Sequence, residues 1–154
     1  FANGGKIAFV GNGGSAAEAM HLAAEFTGKC VNEHEPLAAI CLNESQSALT
    51  AIMNDYGVQH VFSRMVKAHL QEGDVLIALS TSGTSPNLVK ALDQAKSQRI
   101  HTILWTGANA PNYNDIESWK VFENSTPRIQ EIHLMWGHIL AELIELSLGN
   151  SEAS

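Results

Sequence analysis

The chain has 154 residues, of which 45% are apolar, 16% charged and 6% aromatic, enough for one compact domain with one core and too few for two ordinary ones. Sixteen Asp and Glu against nine Lys and Arg give a net charge of −7, the wrong sign for gripping a phosphate backbone, so no nucleic-acid partner is expected. The composition excludes collagen, coiled coil and disorder, and no apolar run approaches the roughly 18 residues of a membrane span, so no membrane partner is expected either.

The chain opens on Phe1-Ala2-Asn3-Gly4-Gly5 and runs at once into an apolar stretch, which reads as a trimmed start. Lys6–Val10 is a short β-rich run, followed by Gly11-Asn12-Gly13-Gly14-Ser15 and a helical stretch to about Phe26. Leu37–Leu42 is a second apolar run. Ser45 to about Leu70 reads as helix, broken near Asp55-Tyr56-Gly57. Asp74–Leu79 is a third strand, ending in the polar loop Ser80-Thr81-Ser82-Gly83-Thr84-Ser85. A helix from Pro86 to about Ser97, a strand over Ile100–Trp105 and a weaker strand over Ile116–Phe122 follow. A long amphipathic helix from Thr126 to Leu148, closed by Gly149, completes the pattern. Continuous apolar strands alternating with helices predict a parallel sheet covered on both faces. There are no repeats, low-complexity segments or linkers. Cys30 and Cys41 have no metal-ligand spacing and read as reduced thiols of a cytoplasmic protein.

Two strand ends carry unusual loops, and ligands of such sheets bind beyond the carboxyl ends of the strands. In the first loop Ser15 and Glu18 have the spacing of a capping box, which predicts a helix start near Ser15. Its glycines suit either a plain strand-to-helix turn or a close backbone approach to an anion at a helix N-terminus. The G-x-G-x-x-G dinucleotide spacing is absent. In the second loop Ser85 suits an N-cap and Pro86 the first helical position, which leaves three or four hydroxyls without a structural task. Hydroxyls and backbone amides at a helix N-terminus can bind a phosphate without Lys or Arg, and the lack of a Gly-Lys-Ser/Thr sequence argues against nucleotide hydrolysis.

His21 and Glu25 stand four residues apart, so they share a helix face and suit either a solvated pair or a metal or substrate site. The surrounding Met20, Leu22, Ala23, Ala24 and Phe26 are apolar, so a carboxylate there requires a reason. On the last helix Gln130 and His138 are two turns apart and offset by about 80°, so they can border one pocket. His133, about 140° round from His138, reads as a surface histidine.

Together these residues resemble the sugar isomerase (SIS) domain, and within that superfamily the phosphoheptose isomerases. The resemblance runs from Gly4 to about Leu148. It is carried by Gly11-Asn12-Gly13-Gly14-Ser15, Ala19-Met20-His21 with Glu25-Phe26-Thr27-Gly28, Asn54-Asp55-Tyr56-Gly57, Gly73-Asp74-Val75-Leu76, Ser80-Thr81-Ser82-Gly83-x-Ser85 and Arg128-Ile129-Gln130-Glu131-Ile132-His133 ending in His138. It implies an α/β three-layer sandwich with a mainly parallel, flavodoxin-like five-stranded sheet, one SIS domain over residues 1–154 whose N-terminal helical segment is missing. It further implies a cytoplasmic homotetramer with sites at subunit interfaces, converting sedoheptulose 7-phosphate to D-glycero-D-manno-heptose 7-phosphate on the way to nucleotide-activated heptose of bacterial surface polysaccharides. One zinc per subunit is implied, with ligands falling on His21, Glu25, Gln130 and His138, brought together across the first and last helices. Substrate contacts fall on Asn12, Gly13, Gly14, Ser15, Glu25, Asn54, Asp55, Ser80, Thr81, Ser82, Ser85 and Gln130. Aldose–ketose interconversion through an enediol needs a base and an opposing acid, and Glu25 and His138 are the candidates.

Two positions depart from the family pattern. Pro127 stands where an acidic residue is common, and Lys29 where an Arg is common, which bears on bidentate phosphate recognition. Two rival readings sit on the same fold: a non-enzymatic tetramer associating with the bacterial replication initiator, and a sugar-phosphate-sensing module. Retention of His21, Glu25, Gln130 and His138 together favours the enzyme.

Overall fold

A computed structural model describes residues 1–149, with side chains to residue 148. The last five residues of the expected 1–154 domain lie outside the described part. The elements are β1 (Ile7–Gly11), α1 (Gly14–Thr27), β2 (Ala39–Cys41), α2 (Gln46–Tyr56), a 3-10 turn (Val58–His60), α3 (Val61–His69), β3 (Val75–Ser80), α4 (Pro86–Ser97), β4 (His101–Gly107), β5 (Glu117–Val121) and α5 (Thr126–Gly149). The five strands form one sheet in the order β2-β1-β3-β4-β5, and all four pairings are parallel.

The period-2 alternation of the strands divides the core between two faces. Ala8, Val10, Leu76, Ala78 and Leu104 point to one side, against Val61, Phe62, Met65 and Val66 of α3 and Leu88, Ala91, Leu92 and Ala95 of α4. Ile7, Phe9, Ile77, Leu79 and Trp105 point to the other, against Ala19, Leu22, Ala23 and Phe26 of α1 and Ala141 of α5. Three layers result, as expected.

The first and third strands begin one residue later than the apolar pattern predicts. Lys6 and Asp74 spend their polar groups on each other there: Asp74 Oδ1 accepts from Lys6 N at 2.9 Å and Oδ2 from Lys6 Nζ at 2.6 Å. Burial pushes the Asp74 carboxyl up, but the bonds from Lys6 and Gln71 outweigh it and hold it below its ordinary value. The break near Gly57 is real, since Gly57 (φ 90°) ends α2 and starts the 3-10 turn.

Two caps differ from expectation. α1 starts from Gly13 (φ 56°) with no side-chain cap, and Ser15 and Glu18 are both buried instead of closing a capping box, with Ser15 meeting Gln130 of α5. Ser85 holds the cap position of α4, with Pro86 at the first turn, but its hydroxyl makes no cap bond. Asn87 Oδ1 accepts from Leu88 N at 2.9 Å within that same first turn.

Candidate active site

β1 and β3 are adjacent, and the chain leaves them toward opposite edges of the sheet, so the crevice at their carboxyl ends is the topological switch point. The two loops singled out in the sequence follow these two strands. They are tied by a reciprocal amide pair. Asn12 Nδ2 donates to Asn87 Oδ1 and Asn87 Nδ2 to Asn12 Oδ1, both at 2.9 Å. Asn87 is a residue the sequence reading missed; its polar side chain one residue inside a Pro-started helix was the available signal.

The second loop uses part of its hydroxyl supply internally. Ser80 is buried, and its Oγ accepts from Gly83 N at 3.1 Å, while Thr106 Oγ1 donates to Ser80 O at 2.6 Å. The Ser80 hydroxyl thus has a structural task that the sequence did not reveal. Ser82 Oγ accepts from Thr84 N at 3.3 Å and from Thr84 Oγ1 at 3.2 Å, and Ser82 and Thr84 face solvent. Thr81 and Ser85 are half-buried. Asn12, Gly13 and Gly14 are exposed at the start of α1, where helical N–H groups lack intrahelical partners. The rim therefore presents amides, hydroxyls and two helix N-termini, a neutral surface of the chemistry that can receive an anion.

α1 and α5 run side by side and bring three predicted ligands together. His21 Nε2 lies 2.9 Å from His138 Nε2 and 3.0 Å from Glu25 Oε1, and His138 Nε2 lies 3.9 Å from Glu25 Oε1. The two rings meet edge-on at 5.1 Å between centroids. Ligand atoms on a tetrahedral zinc with bonds of about 2.0–2.1 Å lie about 3.3 Å apart, so this spread of two nitrogens and one carboxylate oxygen fits such an ion. Glu25 is mostly covered, whereas His21 and His138 are about half exposed, so the cluster opens outward.

Gln130 stands elsewhere on the same helical seam, at the start of α1. Its Nε2 donates to Ser15 Oγ at 3.4 Å, and its amide lies so close to Gly14 that a Cβ there would come within 2.5 Å of Nε2. Gln130 thus meets two of the expected substrate-binding residues. Asn54 and Asp55 sit exposed on the last turn of α2, where Asn54 Nδ2 donates to Asp55 Oδ1 at 2.7 Å.

His133 corrects the sequence reading. It is fully buried, its ring 6.2 Å from that of Trp105 and 5.7 Å from that of Trp136. Burial holds its imidazole down at about 4, against the opposing effect of the Thr106 backbone. The helical angle was right but the conclusion was not, because α5 packs on both α1 and the sheet. Glu18 is buried too, and its carboxyl is pushed up to about 7 by burial, with Ser15 opposing.

The architecture and this site meet in a known class: the SIS domain family model matches residues 1–107, and the chain belongs to that family. It is 46% identical over 147 residues to the phosphoheptose isomerase of Rhodospirillum rubrum, covering 94% of this chain and 78% of that protein. It is 48% identical over 144 residues to that of Nitratiruptor sp., covering 92% and 77%. The solved phosphoheptose isomerase of Neisseria gonorrhoeae superposes with a TM-score of 0.85 at 43% identity, over 94% of this chain and 78% of that one. The Francisella tularensis structure gives 0.88 at 31% identity over the same shares. Within the SIS family, the chain belongs to the phosphoheptose isomerases.

Proposed function

We propose that this chain interconverts sedoheptulose 7-phosphate and D-glycero-D-manno-heptose 7-phosphate through an enediol, as a step toward nucleotide-activated heptose. The observation that carries the reading is the meeting of Glu25 with two imidazoles on the same α1–α5 seam that begins at this rim. Gly14 and His21 are separated by seven residues of α1, a rise of about 10 Å. An extended seven-carbon sugar spans a comparable length, so its phosphate can rest among Asn12–Ser15 and Ser80–Ser85 while its carbonyl end reaches Glu25.

Glu25 takes the proton from the carbon beside the carbonyl and returns it to the neighbouring carbon. His138 moves the second proton between the two oxygens, so that the carbonyl and hydroxyl exchange places. Gln130, with Ser15, Asn54 and Asp55, orients the hydroxyl groups between. His21, Glu25 and His138 are the residues proposed to hold one zinc per subunit, while Gln130, the fourth ligand that the resemblance implies, lies against Ser15 and Gly14 nearer the start of α1. When bound, the ion supplies a fixed positive charge that polarises the carbonyl group.

The exposure of this site supports a homotetramer with sites at subunit interfaces. Met20, Met135 and Ile139 leave 44%, 50% and 46% of their surface in solvent close to His21 and His138 in sequence, an arrangement that a neighbouring subunit would cover. A single SIS domain in the cytoplasm agrees with the free Cys30 and Cys41. Among the described residues no helix is long and apolar enough to cross a membrane.

A coupled assay with sedoheptulose 7-phosphate, run with and without a chelator, tests the reading. Aldose formation that falls on chelation and returns with zinc supports it. Binding of the sugar phosphate without any aldose product would replace it with the sensing module.

A further inference from the structure

The segment between α1 and β2 carries little of the core. Lys29, Val31, Asn32, Glu33, Glu35 and Pro36 are all exposed. Yet one of the few buried carboxylates of the molecule is spent on it. Glu145, on α5, is 4% exposed. Its Oε1 accepts from Cys30 N at 2.6 Å, and its Oε2 accepts from Val31 N at 3.0 Å and Asn32 N at 2.8 Å. His34 Nε2 stands 3.4 Å from Oε1. Three successive backbone N–H groups on one carboxylate are charge-assisted bonds of the stronger kind, and they fix a short stretch of chain in position and direction.

What that stretch touches on its inner side is the candidate active site. Cys30 Sγ lies 3.8 Å from the His138 carbonyl oxygen. Cys30 also stands close enough to Glu25 that the carboxylate, after burial itself, raises its thiol above the ordinary range. Glu145 lies seven residues beyond His138, two turns along nearly the same face of α5. The C-terminal end of α1 is therefore held to α5 at two levels, once where His21 and Glu25 meet His138 and again where the chain leaving α1 meets Glu145.

We infer that Glu145 is a positioning residue: by binding the backbone of Cys30–Asn32 it sets how closely Glu25 approaches His138. The inference rests on the isomerase reading of that cluster, and it concerns the separation of the two helices whether or not an ion lies between them. A loop anchor of purely structural value would leave the cluster indifferent to Glu145. A positioning residue couples the two, and such coupling is reciprocal.

The test uses the full chain in three measurements. In the wild type, hydrogen exchange at the amides of Cys30, Val31 and Asn32 is followed with and without zinc; a slowing of at least tenfold on zinc addition is expected. In Glu145→Gln, which keeps the size and loses the charge, zinc affinity by chelator competition is expected to weaken at least tenfold. Its kcat is expected to fall at least tenfold with KM for the sugar phosphate within threefold, since the proposed phosphate site lies at the other end of the seam. Where Glu145→Gln does not fold, Glu145→Asp, which keeps the charge but shortens the reach, takes its place in the same measurements, with a smaller loss expected. A folded variant with kcat and zinc affinity within threefold of wild type overturns the inference, as does unchanged amide exchange on zinc loading. A wild type that takes up no zinc defeats the metal reading alone, and kcat against KM then decides for or against Glu145.

Discussion

Leu22 of α1 is seated on Gly137 of α5 so closely that a methyl group at position 137 would overlap the Leu22 side chain. The pairing Ser15–Gln130 has the same sequence offset of 115 positions, so the helices run parallel and in register through the seam. His21 and His138 can meet because a glycine one residue before His138 lets the backbones draw together.

Gly137→Ala is accordingly expected to cost about 1–3 kcal/mol through overpacking of a fully buried leucine. It is also expected to weaken zinc binding, because the helices must part to admit the methyl group. Denaturant midpoints and chelator competition read the two effects. A variant of unchanged stability would show that Leu22 repacks freely.

Glu25→Gln preserves the shape of the side chain and removes its basicity. Turnover is expected to fall by roughly 100- to 10,000-fold with the fold intact, the range for a lost general base. Near-normal turnover would remove Glu25 from the mechanism.

Ser82→Ala and Ser85→Ala are expected to raise KM for the sugar phosphate severalfold. Because Ser85 makes no cap bond through its hydroxyl, its substitution is expected to leave the unfolding midpoint nearly unchanged, unlike the loss of about 1 kcal/mol for a working serine cap. Unaltered KM in both variants would move the phosphate away from this loop.

Glu18 and His133 set opposite pH dependences. The Glu18 carboxyl is raised from 4.5 to about 7 by burial, so its contribution is complete below pH 4.5 and lost as pH rises through 7. The His133 imidazole is lowered from 6.5 to about 4, so its contribution is complete above pH 6.5 and lost as pH falls through 4. In the overlap from about pH 4.5 to 6.5 the two oppose each other, each on the order of 3 kcal/mol over its whole range. Glu18→Gln is expected to leave a stability that falls on acidification, and His133→Phe one that falls on alkalisation. Urea midpoints at pH 4.5, 5.5 and 6.5 read the slopes; a Glu18→Gln curve parallel to wild type would exclude the buried carboxyl as their source.

The sequence made the sheet legible because β1 and β3 are nearly unbroken apolar runs that end in small polar loops, whereas β5 (ESWKV) gave only a weak signal, and Pro86 marks its helix start to the residue. The position of the two polar loops was legible for the same reason, but the bonds that Ser80 and Ser82 make within the second loop were not. What local spacing could not disclose was which way each helix faces. Ser15 and Glu18 have the spacing of a cap yet are both buried, and His133 looked outward on a helix that is covered on two sides. Glu145 and Asn87 escaped notice because their partners lie 113 to 115 and 75 positions away in the chain. His21, Glu25 and His138 were found from helical spacing and family resemblance, but only folding could place Gln130 against Ser15.

The chain's three tryptophans, Trp105, Trp119 and Trp136, gather in one knot with ring centroids 5.7–5.9 Å apart, where α5 lies across β4 and β5. All of the indole emission therefore arises at one place, and the knot spans the join between the last helix and the edge half of the sheet. Light from this protein reports the seating of a single helix. Because that same helix carries Gln130, His138 and Glu145, an observer following fluorescence watches the scaffold of the chemistry without attaching a label to it.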